Sequence, residues 1–483
     1  MTSDGSLLGR IGISGRFRKN FGAIVILALS GSTIFGLPFF RFEYYDAYLA
    51  TYNLTNTQMG LFGTVIGVFG IVSYLFGGIV ADGLPIRKVI TASLVATGAA
   101  GLAHLLPLGF SGLIVIYAVW GVSTTFAFWP ACVKAVRVMA DDHSQGRAYG
   151  FFDGAQAIGG ALVAMAALAI FRWGTSAGGD EVTAMRMAIL FYSVVNIAMG
   201  LVAWFAVRDA SAHLRAERVS FKGIGEVVKS PLVWIICLVS FCNHVFCLSA
   251  YYYIPFATEV LGASVALGAG LGVVRKWGGA VGSITGGYMA DRVGTGRTML
   301  IAYGVVLVGQ VAVLLAPKGG AGMWIVAVAF FLLIVFFGIN MSVSWTMLSE
   351  ARIPVEHSGT AAGLICTAGA IPETFVSVTA GRIIDTNPGT AGYQQLFLLL
   401  LAVMVVGFVA LVAWRVLVRR RRAALGLAGV EGACGAGAAA DCRAGGCRSG
   451  VNAIEPDEVA TRAQMSCRNN LNVVDDEEGR PQK

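Results

Sequence analysis

The sequence predicts an all-α membrane protein: twelve transmembrane helices in two pseudo-symmetric six-helix bundles, both termini cytoplasmic. Three observations carry this. First, 56% of the 483 residues are hydrophobic and 13% are charged, and the mean hydropathy is +0.73; soluble domains carry about 25% charged residues. Second, apolar stretches follow one another along the chain, each near the ~20 residues that a spanning helix needs. Third, Lys and Arg crowd alternate connections, and that bias places the basic loops in the cytoplasm.

The first 20 residues are polar and basic, ending in Arg16, Arg18 and Lys19. The apolar run after them outlasts a signal-peptide core, so it reads as an uncleaved first span. Spans are expected near 21–41, 57–81, 89–106, 111–136, 148–171, 184–207, 232–256, 265–289, 298–316, 322–349, 360–383 and 393–418. The divisions are a cytoplasmic N-terminus (1–20), an amino bundle (21–207), a central loop (208–230), a carboxyl bundle (231–418) and a basic stop with a disordered tail (419–483).

One set of ends carries Arg10, Arg16, Arg18, Lys19, Arg87, Lys88, Lys134, Arg137, Arg147, the central-loop cations, Arg292, Arg297, Arg352, Arg415 and Arg419 to Arg422. The other carries Arg41, Arg172, Arg186, Lys318 and Arg382. The formal net charge of +8 is thus spread over short runs, which act as orientation signals and not as a nucleic-acid surface. Past Arg422 the chain turns to Ala and Gly, then Asn, Asp and Glu, too little apolar mass for a core.

Chemistry at a fixed site has little support. Cys132, Cys237, Cys242, Cys247 and Cys366 lie in apolar segments as packing residues, and the tail cysteines match no metal spacing. Asp141-Asp142-His143 has no second ligand set, and no nucleophile elbow occurs. No enzyme activity, metal or cofactor is expected.

The halves repeat. Gly77-Gly78-Ile79-Val80-Ala81-Asp82 precedes Arg87-Lys88, and Gly286-Gly287-Tyr288-Met289-Ala290-Asp291 precedes Arg292 and Arg297. His143-Ser144-Gln145-Gly146 matches His357-Ser358-Gly359 at nearly the same offset. Here the chain resembles the major facilitator superfamily, whose loop signature is G-x-x-x-D-R-x-G-R-[RK]. The second copy keeps Gly287, Asp291, Arg292, Gly294 and Arg297; the first keeps Gly78, Asp82, Arg87 and Lys88 but has Gly83 and Pro85 where the family has Arg and Gly. The resemblance implies a gating role for these residues and a substrate site between the halves. Asn53 to Gly60, Trp129-Pro130 and the series Gly150, Gly154, Gly159 and Gly160 are similar to the organic-anion and organophosphate branches.

Ionisable groups within spans mark candidate sites, because the bilayer makes them costly. Arg275 precedes Asp291 by 16 residues, roughly 24 Å of helix. Glu373 follows Gly359 by 14 residues, roughly 21 Å. Arg275, Lys276 and Glu373 are therefore expected to share a depth and to pair. Arg41 lies near the outer end of span one, and Lys134, Arg137 and Asp153 offer a further intramembrane pair. The resemblance implies that spans one, four, seven and ten line a cavity, which adds His244, Asn340 and Trp345 as substrate contacts. Helix packing is the alternative role for each of them.

Together these imply a monomeric secondary carrier in the cell membrane, moving a small organic anion by alternating access, with H+ or Na+ as a possible coupling ion. The alternatives are a proton-driven exporter of amphipathic compounds and a non-transporting receptor or sensor.

Overall fold

Four prolines decide where the helices break. Proline has no N–H for the carbonyl four residues earlier and crowds it. In the computed structural model, which describes residues 15–73, 84–139, 145–207, 228–317, 320–344, 347 and 355–424, an irregular turn lies beside each of them. Pro38 follows a 43° bend between the helices Phe21–Ile34 and Gly36–Glu43. Asn196 donates to the Thr33 carbonyl at that bend, 3.2 Å. Pro130 follows a π-helical stretch, Gly121–Phe128, between the helices Phe110–Trp120 and Trp129–Met139. Pro255 closes a run that tightens to a 3-10 turn at Ala250–Tyr252 and widens again at Phe256–Val260. Pro372 sits in the 3-10 turn Ile371–Thr374 between Val355–Ala370 and Val376–Thr386. Such interruptions at membrane depth survive where the freed backbone faces protein or a cavity.

The other long elements are Asn56–Val72, Ile86–Ala103, Gln145–Ser176, Glu181–Ala206, Pro231–Ser249, Val265–Val293, Thr295–Leu314, Gly320–Ser344 and Thr390–Ala424. Among the described residues there is no strand. Among the described residues nine helices are long and apolar enough to cross a membrane, or up to eleven if each bent pair is one span. Helix 265–293 matches an expected span in place and length but carries Arg275, Lys276 and Arg292.

Two ends differ from the expectation. The first span continues past residue 41, through Gly36–Glu43 and Tyr45–Tyr52, before Asn53 reverses it at φ 48°. Thr55 then starts helix 56–72 with a reciprocal capping box to Gln58. The last helix runs through Arg419 to Arg422 and ends at Ala424, because a span stopped by charge still keeps its backbone bonds in water. The tail beyond it lies outside the described residues, as does most of the central loop.

Large apolar side chains face outward, Phe205 at 82% and Trp324 at 74% exposure among them, as a lipid-facing surface requires. One buried cluster runs from Leu37, Tyr48 and Phe62 in the amino half to Tyr253, Phe397 and Trp414 in the carboxyl half. A second, from Phe17 to Val207, stays within the amino half.

Candidate functional site

The halves meet along glycines. Gly60, Gly63, Gly67 and Gly70 line one face of helix 56–72. A Cβ on Gly60 would come within 2.3 Å of the Ser377 carbonyl oxygen, and one on Gly67 within 2.5 Å of the Glu373 carbonyl carbon. Small residues of this kind let backbones touch. They bring the broken segment 371–374 of one half against the helix of the other.

At the loop end of this contact, Asp385 caps a helix that belongs to the opposite half. Its Oδ1 accepts from Asn56 N (3.0 Å) and Asn56 Nδ2 (2.8 Å), and its Oδ2 from Thr57 N (2.7 Å) and Thr57 Oγ1 (2.5 Å). A carboxylate at a helix N-terminus satisfies orphan donors and opposes the helix dipole. Tyr45 donates to Asn56 Oδ1 at 2.5 Å, which ties the end of the first span into the same network.

Deeper in, charges of the proline-broken segments, Arg41 and Glu373, lie near the unbroken helix 265–293, which carries Arg275 and Lys276. Arg41 is 1% exposed. It donates to the Pro38 carbonyl, and its guanidinium carbon lies 4.3 Å from the Phe42 ring centroid and 5.0 Å from that of Tyr117. Phe42 stacks on Tyr251 of the other half, 4.4 Å at 22°. The Arg275 guanidinium lies over the Tyr251 ring at 3.7 Å. The order guanidinium, ring, ring, guanidinium thus crosses the interface. Cation–π contact compensates part of the desolvation of each cation.

Lys276 pairs with Glu43 of the amino half at 2.8 Å, with the carboxylate side chain only 6% exposed. This corrects the expected partnership with Glu373. Among the described residues no ion pair joins Arg275 or Lys276 to Glu373. Glu373 instead lines a small cavity with Phe39, Arg41, Gly63, Ile66, Leu248 and Ser377. Equal depth along two helices does not set facing direction, and the Pro372 turn points Glu373 at helix 56–72.

His244 donates from Nδ1 to the Ser240 carbonyl at 2.9 Å, and it lines a separate cavity with Asn243, Met341 and Ser344. Asn340 is fully buried, and its amide has no hydrogen-bond partner among the described residues. Trp345, Gly78 and Asp82 lie outside the described residues, as do the side chains of Asp291 and Arg137. In the loop signature, Arg87 covers Trp204 at 4.3 Å and Arg292 covers Tyr288 at 4.2 Å. Gly294 ends its helix at φ 89°, a conformation open to glycine. Gly287 has open space beside it, and Lys88 and Arg297 are exposed. Lys134 is half-buried and Asp153 exposed.

Sequence reading missed Asp385 and the aromatic partners Phe39, Phe42 and Tyr117. Only the clustering of Phe and Tyr around Arg41, from Phe39 to Tyr48, signalled an unusual segment.

Comparison with known proteins agrees with this architecture. Inner membrane protein YihN of Escherichia coli is 28% identical over 392 residues, which covers 79% of this chain and 91% of that protein. Inner membrane protein YqcE of the same organism is 25% identical over 393 residues, with the same coverage. Among solved structures, a D-xylose–proton symporter matches with TM-score 0.65 at 16% identity, over 82% of this chain and 97% of that one. A bacterial homologue of the human lysosomal transporter Spinster, inward-facing and occupied, matches with TM-score 0.61 at 16% identity, over 84% and 98%. The nucleoside transporter NupG gives 0.63 at 13%, over 81% and 98%. The family model for the Major Facilitator Superfamily matches residues 21–377. A proline-broken bundle with buried charges at the seam of its halves, matched by that model over most of its length, makes this multi-pass membrane protein a transporter of the Major Facilitator Superfamily, to which the chain belongs.

Proposed function

We propose that the chain is a secondary active transporter of a small organic anion, built on twelve spans with both termini in the cytoplasm and working by alternating access in the inner membrane. The observation that carries the substrate class is the pair Arg41 and Arg275. Each guanidinium rests on an interface ring, and among the described residues neither has a carboxylate at ion-pair distance. A cation at membrane depth costs at least about 2.5 kcal/mol, and ring contact without a counter-charge offsets only part of that. An anionic substrate supplies the missing charge. The relatives named as inner membrane proteins support the location, and the xylose and nucleoside carriers support a small polar solute.

The Asp385 cap and the glycine contact hold the halves together at the end opposite the basic loops. Alternating access then consists of opening this end while the other closes. Arg87, Lys88, Arg292 and Arg297, at the basic end, are the cations that hold the second closure, with Gly78, Asp82, Gly287, Asp291 and Gly294 as the frame of the two loops. Glu373 shares a cavity wall with Arg41, which makes a proton the coupling ion this site fits best: a protonated Glu373 leaves Arg41 to the substrate, and an ionised one competes for it.

The test is thermal stabilisation of the purified protein by a panel of metabolite anions, followed by uptake into proteoliposomes. The expected result is a stabilising anion that is also transported, with both effects lost in Arg41→Gln and Arg275→Gln. Proton-driven movement of amphipathic compounds, without any anion effect, overturns this reading in favour of an exporter. Binding with no flux favours a receptor.

A further inference from the structure

Behind Arg41 lies a run of hydrogen bonds that joins His104, Tyr52 and Tyr48 to Tyr117. His104 is the C-cap residue of helix 86–103 and is fully buried. Its Nε2 lies 2.8 Å from the Tyr48 hydroxyl and its Nδ1 2.8 Å from the Tyr52 hydroxyl. The Tyr52 hydroxyl also lies 2.9 Å from the carbonyl oxygen of His104, and the Tyr48 hydroxyl lies 3.3 Å from that of Tyr117.

Counting protons assigns every role. A carbonyl only accepts, so the one Tyr52 proton goes to it, and Tyr52 accepts from Nδ1–H. A neutral imidazole protonated at Nδ1 accepts at Nε2, so Tyr48 donates there. The Tyr48 proton is then spent, and Tyr117 donates to Tyr48. The network thus assigns the tautomer, and no hydroxyl proton in it lacks an acceptor.

The rings around this chain are closely packed. His104 stacks on Trp120 at 5.5 Å and 13°, and Tyr117 stacks on Phe62 at 4.3 Å and 3°. Tyr117 is therefore held by its face and by its hydroxyl. Its ring is also one on which the Arg41 guanidinium rests.

We propose that His104 is a positioning residue for Arg41: through Tyr48 it fixes the Tyr117 ring, and that ring fixes the guanidinium at the cavity wall. The value of this for function rests on the reading of Arg41 as the anion-binding group. Arginine is long and rich in rotamers, so ordering it before the substrate arrives removes part of the entropic cost of binding. His104 is not among the residues lining the cavity, and its hydrogen bonds reach Tyr117 through Tyr48.

The test is the side-chain spectrum of 15N-arginine-labelled protein in lipid nanodiscs, without substrate, with the Arg41 signal identified by its loss in Arg41→Lys. His104→Phe keeps a flat ring against Trp120 but has no nitrogen. Its Arg41 Nε–H signal is expected to shift and to exchange with water about tenfold faster, as a locally loosened group does. His104→Gln, whose amide both donates and accepts, is expected to restore the signal. Tyr48→Phe removes one hydroxyl with little change of volume and is expected to reproduce the His104→Phe change. An unchanged Arg41 signal in either folded variant overturns the proposal. A separate titration with inorganic phosphate tests the reading beneath it. If phosphate leaves the Arg41 signal of the unmodified protein in place, Arg41 as the anion group is in error, while the substrate-free comparison still decides the role of His104.

Discussion

Lys276 of the carboxyl half holds Glu43 of the amino half at 2.8 Å, an ion pair that crosses the seam between the halves. Gly272, one turn before Lys276, leaves the space this needs, since a Cβ there would lie 3.0 Å from Glu43 Cγ.

The first prediction concerns that pair. Glu43→Gln leaves Lys276 without its counter-charge, and Lys276→Gln leaves a carboxylate at 6% exposure. Each single change is expected to lower the melting temperature, and the double change to recover part of it. A coupling energy of about 1–3 kcal/mol is expected from the double-mutant cycle, measured by thermal unfolding in detergent. Strictly additive effects of the two changes would falsify the pairing.

A second prediction addresses Asp385. Four charge-assisted bonds to Asn56 and Thr57 depend on its two oxygens. Asp385→Ala removes them all, and bonds to a charged group contribute about 1.5–3 kcal/mol each. Spin labels at Ala50 and Ala391, both exposed, are expected to show a second, longer distance in Asp385→Ala. A distance distribution identical to that of the unmodified protein would show that the cap does not hold this end shut.

Glycine substitution makes the third. Gly381→Ala places a methyl 2.1 Å from the Asn56 carbonyl oxygen, and Gly60→Ala places one 2.3 Å from that of Ser377. Both obstacles are backbone, so the helices must part. Each change is expected to destabilise the protein or to populate the same long distance as Asp385→Ala. Gly304 has open space, so Gly304→Ala serves as the control and is expected to stabilise by up to about 1 kcal/mol. Equal behaviour of the three variants would contradict the close crossing.

The fourth concerns the end of the chain. Truncation after Ala424 removes only residues whose composition cannot build a core. The truncated protein is expected to elute as a single species in detergent, with an unchanged melting temperature. A reporter fused at the same point is expected to be active in the cytoplasm. Activity on the other side of the membrane reverses the charge-bias argument.

The sequence by itself determined the solvent of this protein, its family and its all-helical class. Hydropathy, the Lys and Arg alternation and the repeated Gly–Asp–Arg loops are local or periodic properties, and the bilayer turns them directly into helices. Even the breaks were legible in principle, since Pro38, Pro130, Pro255 and Pro372 act on their own carbonyl neighbours. Arg41, Arg275, Lys276 and Glu373 could be singled out because a charge within a span is costly wherever it ends up facing. Their partners could not. Equal depth suggested Arg275 with Glu373, whereas azimuth, bend and the approach of the halves put Lys276 with Glu43 and Arg275 on Tyr251. Asp385 looks in sequence like an interface carboxylate at a helix end, and His104 like a lone residue beside a loop. Only the tertiary structure made the first a cap on a helix 329 residues away and the second the centre of a tyrosine chain, because a hydrogen bond depends on ångström distances and angles that no spacing along the chain specifies.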